Sequence, residues 1–188
     1  MKKLALTAFV LLLGTGLFAQ AKLNASTFDD RDSQGGTSEL KLTEAQETIA
    51  GKTVTTYTFE GRVTNKYQYG FAGAIFIPAD DATVAALKTA KAVTFWAQDL
   101  GSAFPRFGLS VCTPADITDS AYYQKELPFP KQPRQITVKI PQDLRQPQYW
   151  GEKKSFNQSN ATQLQFQSTN NGSPGNVRFK IWDIQFVK

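Results

Sequence analysis

Gln135-Ile136-Thr137-Val138-Lys139-Ile140-Pro141 alternates polar and apolar side chains at each step and then stops at a proline. A period of two marks a strand with one buried and one solvated face, and proline cannot continue a central ladder. Ile136, Val138 and Ile140 are therefore expected to face a core, with Thr137 and Lys139 on the other side. Working outward, the same pattern returns in Gln163-Leu164-Gln165-Phe166-Gln167 and in Ala92-Val93-Thr94-Phe95-Trp96-Ala97. Phe107 to Val111, Thr53 to Phe59, Phe71 to Ile77 and Val177 to Val187 are further runs rich in β-branched and aromatic residues. Pro128, Pro130, Pro133 and Gly172-Ser173-Pro174-Gly175 punctuate them. One helix is expected, Ala82 to Lys91, capped by Asp80 or Asp81. About eight strands with one short helix predict an all-β chain, a two-sheet antiparallel β-sandwich.

The first residues read as a targeting segment. Lys2 and Lys3 precede the apolar run Leu4 to Leu13, and Ala19-Gln20-Ala21 supplies small residues for cleavage. The run is shorter than the roughly 20 apolar residues that span a bilayer. Residues 1–20 are expected to be a cleaved signal peptide and 21–188 a single domain, in the periplasm or outside the cell.

The chain has 188 residues and a formal charge of +5, of which Lys2 and Lys3 account for two. The remaining cations are interspersed with acids, unlike a nucleic-acid stripe. There is one cysteine and no histidine. That excludes an intrachain disulfide, a Ser-His-Asp or Cys-His centre, and a zinc site built on histidine. Cys112 lies in an apolar run and is expected to be a packed thiol. Carboxylates remain as catalytic groups, but glycosidic cleavage needs two of them facing each other across the substrate. Asp99 is the nearest acid to the polar strand faces and has no evident partner. The chain is expected not to be an enzyme.

Several motifs in order carry a resemblance. They are Phe28-Asp29-Asp30-Arg31-Asp32-Ser33-Gln34-Gly35-Gly36-Thr37-Ser38, Phe71-Ala72-Gly73, Val93 to Ala97, Tyr122-Tyr123, Ile136 to Leu144, Gln146-Pro147-Gln148-Tyr149-Trp150-Gly151, and Phe179 to Phe186. Together they resemble the family 11 carbohydrate-binding modules and the complex I intermediate-associated protein 30 family. The resemblance implies a galactose-binding-like jelly roll with one concave face. It implies a glycan ligand, or a role as a protein-assembly module of the envelope. It also makes a structural calcium ion plausible, for which Asp29, Asp30, Asp32 and Asp183 are the candidate oxygen ligands. The plainer alternative is that Asp29 and Asp30 accept turn hydrogen bonds and Asp183 caps a bulge.

Sugar recognition needs flat apolar surfaces for the pyranose face and planar polar groups for the hydroxyls. Strand parity supplies both on the faces turned from the core: Trp96, Gln98, Arg106, Lys139, Gln165 and Gln167. Tyr67, Tyr69, Tyr149 and Trp150 are loop aromatics that would rim the groove, although Trp150 before Gly151 reads more simply as a plug in a tight turn. The expectation is that these groups share one open trough and bind a polysaccharide or cell-surface glycan. The alternative is a protein partner on the same surface.

Overall fold

The structure is a computed structural model that describes residues 21–32, 35–67, 69–104, 106–169 and 173–188. The expected leader, residues 1–20, lies outside the described residues. Among those described, the strands form two five-stranded antiparallel sheets. The first, sheet A, contains β1 (Leu23–Asp29), β4 (Phe71–Pro78), β9 (Gln163–Thr169), β6 (Arg106–Cys112) and β7 (Tyr123–Pro128), in that spatial order. The second, sheet B, runs β2 (Glu39–Ile49), β3 (Lys52–Val63), β10 (Gly175–Val187), β5 (Ala92–Asp99) and β8 (Arg134–Lys139). This is the expected β-sandwich jelly roll, with ten strands where about eight were expected.

Three strands lie outside the runs named from the sequence: β1, which enters only through the Phe28 motif, β2 and β7. Glu39–Ile49 is rich in Glu, Leu, Lys, Ala and Gln, which favour helix. It is a strand because it is tied to β3 in a hairpin that pairs Ile49 with Lys52. The two loop residues, Ala50 at φ 50° and Gly51 at φ 78°, are both left-handed, as a tight hairpin turn requires. Pairing along the whole length then overrides local propensity. Tyr123–Pro128 is the short edge strand of sheet A, held to β6 from Val111↔Tyr123 to Arg106↔Pro128.

The inner faces carry the residues that parity assigns to them. Phe59, Phe95 and Phe179 from sheet B meet Phe76, Phe107 and Phe166 from sheet A, all fully buried. Ring centroids of Phe95 and Phe166 lie 5.0 Å apart and those of Phe76 and Phe166 5.5 Å, both edge-to-face. Each such ring contributes about 2 kcal/mol by removal from water. The helix α1 (Asp81–Thr89) bridges β4 and β5, one residue from its expected start. Asp80 is its N-cap and accepts from the Thr83 amide at 2.8 Å. Gln158 closes the other end by donating to the Leu87 and Ala90 carbonyls. No helix among the described residues is long and apolar enough to cross a membrane.

Candidate functional site

The expected site residues do not come together in one trough. Gln165 and Gln167 leave the outer face of sheet A, because Leu164 and Phe166 between them point into the core. Arg106 leaves the same face from the start of β6. Trp96, Gln98 and Lys139 belong to sheet B and leave its outer face, since Phe95, Ala97 and Val138 occupy the inner one. Packed sheets are about 10 Å apart, so the core separates the two groups. Parity in each strand was right; the assignment of strands to one surface was not.

On sheet B, Trp96 stacks on Trp182, its partner across the β5–β10 ladder, with centroids 6.0 Å apart and planes at 14°. Trp182 is 4% exposed. Lys180 bonds Glu47 at 2.7 Å, and Glu47 also accepts from the Thr56 hydroxyl. Those hydrogen bonds from Lys180 and Thr56 hold the Glu47 carboxyl below its ordinary value. Gln98 reaches the Lys131 carbonyl at 3.5 Å, and the Lys139 amide donates to Asp143 at 3.0 Å.

Sheet A presents the richer outer face. Its register sets Gln167 between two glycines, Gly73 on β4 and Gly108 on β6. Phe28, opposite Gly73, covers that glycine: a Cβ there would lie 2.5 Å from the ring and 2.4 Å from the Phe166 carbonyl oxygen. Phe28 and Phe71 are neighbours at 6.0 Å and 43°. On the β6–β7 side Arg106 pairs with Glu126 at 3.3 Å, both largely exposed. Gln124 leans from the next row over Gly108. Aromatics, amides and one ion pair thus gather at one end of this face. The turn before β4 stands at the same end. It is closed by the Gly70 amide on the Tyr67 carbonyl and carries Tyr69, 66% exposed, edge-on to Tyr67.

The opposite end of the face is closed. Cys112 points outward by parity yet is fully buried, as are Ile117 and Ala121, and none of the three belongs to the main core. The segment 113–122 between β6 and β7 therefore folds over the sheet there. Burial pushes the Cys112 thiol up to about 12, in line with a packed thiol.

Tyr149, 90% exposed, sits in the 145–154 turn beyond β7, away from the Phe28–Phe71 end. Gly151 in that turn has φ 78°, and a Cβ would meet Ala121 at 2.1 Å. Trp150, expected as a plug, is instead 53% exposed: the glycine makes the tight contact and the indole projects from it.

The acids expected to hold calcium are dispersed. Asp30 is fully buried, and its carboxylate accepts from the Ser38 amide (2.8 Å), the Ser38 hydroxyl (2.7 Å) and the Phe71 amide (3.3 Å). Hydrogen-bond donors surround it where a cation would need more oxygens. Burial opposes ionisation of Asp29, but hydrogen bonds from the Arg31 side chain and amide outweigh it and hold the carboxyl below 3.8. Asp183 occupies the bulge of β10, at φ 51°, and accepts from Gln185 at 2.8 Å. Ala21 donates to the Ile184 carbonyl, so eight extended residues, about 26 Å, separate that neighbourhood from Asp29. The Asp32 side chain lies outside the described residues. Among the described residues no group of three metal-ligating side chains forms, and Asp29, Asp30 and Asp183 do not share one cage.

No family model matches the chain, and no curated protein matches it. Solved structures do. The chain is similar to the family 11 carbohydrate-binding module from Clostridium thermocellum in complex with a β-1,3-1,4-mixed-linked tetrasaccharide. The identity is 13% over 89% of this chain and 91% of that one, with a TM-score of 0.58. It is similar also to the family 11 module of the cellulosomal cellulase Lic26A-Cel5E of Clostridium thermocellum, at 12% identity, 89% of each chain and a TM-score of 0.56. The chain has the family 11 carbohydrate-binding-module fold. The likeness lies in the fold, and the side chains on the module's outer faces are this chain's own. Phe28 and Phe71, quoted above for their place in fold motifs, emerge as surface aromatics. The strand of Phe71 is apolar on both sides, so alternation cannot assign it; Phe28 shares its side of β1 with the polar Asn24 and Ser26.

Proposed function

We propose that this chain is an exported, non-catalytic carbohydrate-binding protein whose glycan site is the open end of the outer face of sheet A. The observation that carries the reading is the gathering of Phe28, Phe71, Gln165, Gln167 and the Arg106–Glu126 pair on one face. The aromatic pair offers apolar area to a pyranose face. The amides and the ion pair offer geometrically fixed donors and acceptors to its hydroxyls. The solved module of the same fold that carries a tetrasaccharide supports it. Among the described strand residues of this face Glu126 is the one acid, and it is paired with Arg106. Paired carboxylates for glycosidic cleavage are not gathered there, which favours binding over hydrolysis.

Isothermal titration or affinity electrophoresis of residues 21–188 against soluble β-glucan, mannan and xylan tests the reading. Phe71→Ala and Gln167→Ala are each expected to weaken the bound glycan about tenfold, the scale of one interface anchor. Retention of full affinity in both folded variants would move the site elsewhere.

A second reading, an envelope protein-interaction module, draws on Trp96, a partly exposed aromatic on the other sheet. A partner on that surface would be lost on Trp96→Ala while glycan affinity stayed the same.

A further inference from the structure

Gly108 is a bare position inside a strand. A glycine there carries a cost in chain entropy and lost packing, and its backbone φ is not left-handed, so conformation does not demand it. A Cβ built on Gly108 would meet the Gln124 side-chain oxygen at 3.2 Å and the Gln167 carbonyl oxygen at 3.9 Å, and no other atom within 4 Å beyond its chain neighbours. Gly73, on the other side of Gln167, is different: the Phe28 ring fills it. The two glycines thus make one position filled by an aromatic ring and one covered only by the end of the Gln124 side chain, on either side of the same glutamine.

The Gly108 position is ringed by planar polar groups. Gln167 lies across the ladder on β9 and Glu126 across it on β7. Arg106, two residues before Gly108, reaches over to Glu126 at 3.3 Å. Gln124 tips in from the row of Ser110. Two amides, a guanidinium and a carboxylate around a missing side chain suit a small polar substituent that can both donate and accept.

We infer that Gly108 is the floor of a socket for the exocyclic hydroxymethyl group of a hexose, and that it sets a preference of the site for hexose over pentose chains. The inference rests on the reading of this face as a glycan site. A hexopyranose carries that group on its ring and a pentopyranose does not. A socket built to bond a hydroxyl disfavours the analogue lacking it, because its polar groups are then left without partners. Strands are about 4.8 Å apart, close to the length of one pyranose unit. A sugar over β6 therefore sits beside one over β9.

The test pairs ligands that differ in this group. Cellohexaose and mannohexaose are compared with xylohexaose by titration calorimetry, on the wild type and on Gly108→Val. Valine suits a strand, and the Gln124 amide is free to swing away. The variant is therefore expected to keep its melting temperature, while its side chain fills the socket. The expected result is a preference of at least about tenfold for one of the two hexose ligands in the wild type, lost in Gly108→Val through weaker hexose binding with xylohexaose unchanged. Equal binding of all three, or a preference that survives in Gly108→Val, would overturn the socket and leave the glycan site standing. Binding of none of the three would overturn the socket, and failure on the soluble polysaccharides as well would take the proposed function with it. A melting temperature lowered by Gly108→Val calls for Gly108→Ala, which adds one carbon and must weaken the hexose preference in the same direction.

Discussion

Trp96 and Gln165 point away from each other: the indole leaves the outer face of sheet B, the amide leaves the outer face of sheet A, and the aromatic core lies between them. Trp96→Ala is therefore expected to leave glycan affinity unchanged. It removes the stack on Trp182, so a loss of about 1–2 kcal/mol in stability is expected, from the aromatic pair and partial burial. Chemical denaturation measures the second effect and titration the first. A folded Trp96→Ala variant with tenfold weaker glycan binding would place the site on sheet B.

Strand parity alone cannot separate Trp96 from Gln165. Alternation within a strand reports which side chains share a side of that strand, and it did so correctly for Ile136, Val138, Phe95, Leu109, Leu164 and Phe166. It carries no information on which strands become neighbours. β5 pairs with β8 and β10, while β6 and β9 pair with each other, and these contacts are decided by packing between segments far apart in the chain. β2 failed for the opposite reason: its residues favour helix, and only the β2–β3 hairpin reveals the strand. Phe71 is legible as a motif residue but not as an outward aromatic, since Gly73 and Ile75 share its side while Ala72, Ala74 and Phe76 fill the other; Phe28 follows the polar side of β1, with Asn24 and Ser26, in a strand that the apolar runs do not single out.

Gly73→Ala is expected to act on fold and site together. The new Cβ would lie 2.4 Å from the Phe166 carbonyl oxygen, a backbone atom, and 2.5 Å from the Phe28 ring. The ring can move and the carbonyl cannot without disturbing the β4–β9 ladder. Overpacking of this kind costs about 1–3 kcal/mol, and displacing Phe28 removes part of the sugar platform. Lower stability with weaker glycan binding is expected. Gly108→Val, on the far side of Gln167 in the β6–β9 ladder, is expected to keep its stability, so the two glycines separate by thermal melting alone.

Asp30 ties the start of β4 to the segment that leads into β2. Its carboxylate takes hydrogen bonds from Ser38 and from the Phe71 amide, and the Ser38 hydroxyl accepts from the Thr64 amide. Asp30→Ala leaves these buried donors without an acceptor, at a cost of about 3 kcal/mol, or about 10 °C in melting temperature for a domain of this size. Asp30→Asn keeps one acceptor oxygen and should lose less. Equal melting temperatures for wild type and Asp30→Ala would show that the network carries no weight.

Cys112 supplies a test of the closed end of sheet A. Desolvation by burial raises its thiol from 9.0 to about 12, against a hydrogen bond with Gln163 that lowers it. In the unfolded chain the thiol ionises near its ordinary value. Between pH 9 and 12 the unfolded state has therefore released a proton that the folded state keeps, and stability falls as pH rises through that window. Below pH 9 both states hold the proton and this residue adds no pH dependence. Cys112→Ser titrates in neither state there, so wild type should lose more stability than the variant between pH 8 and 10.5, read by urea melts at each pH. At pH 8 the native thiol should resist an aromatic disulfide reagent and react once the chain is unfolded. Rapid labelling of the folded protein would mean that segment 113–122 does not seal the sheet, and the open face would then extend past Ser110 toward Cys112.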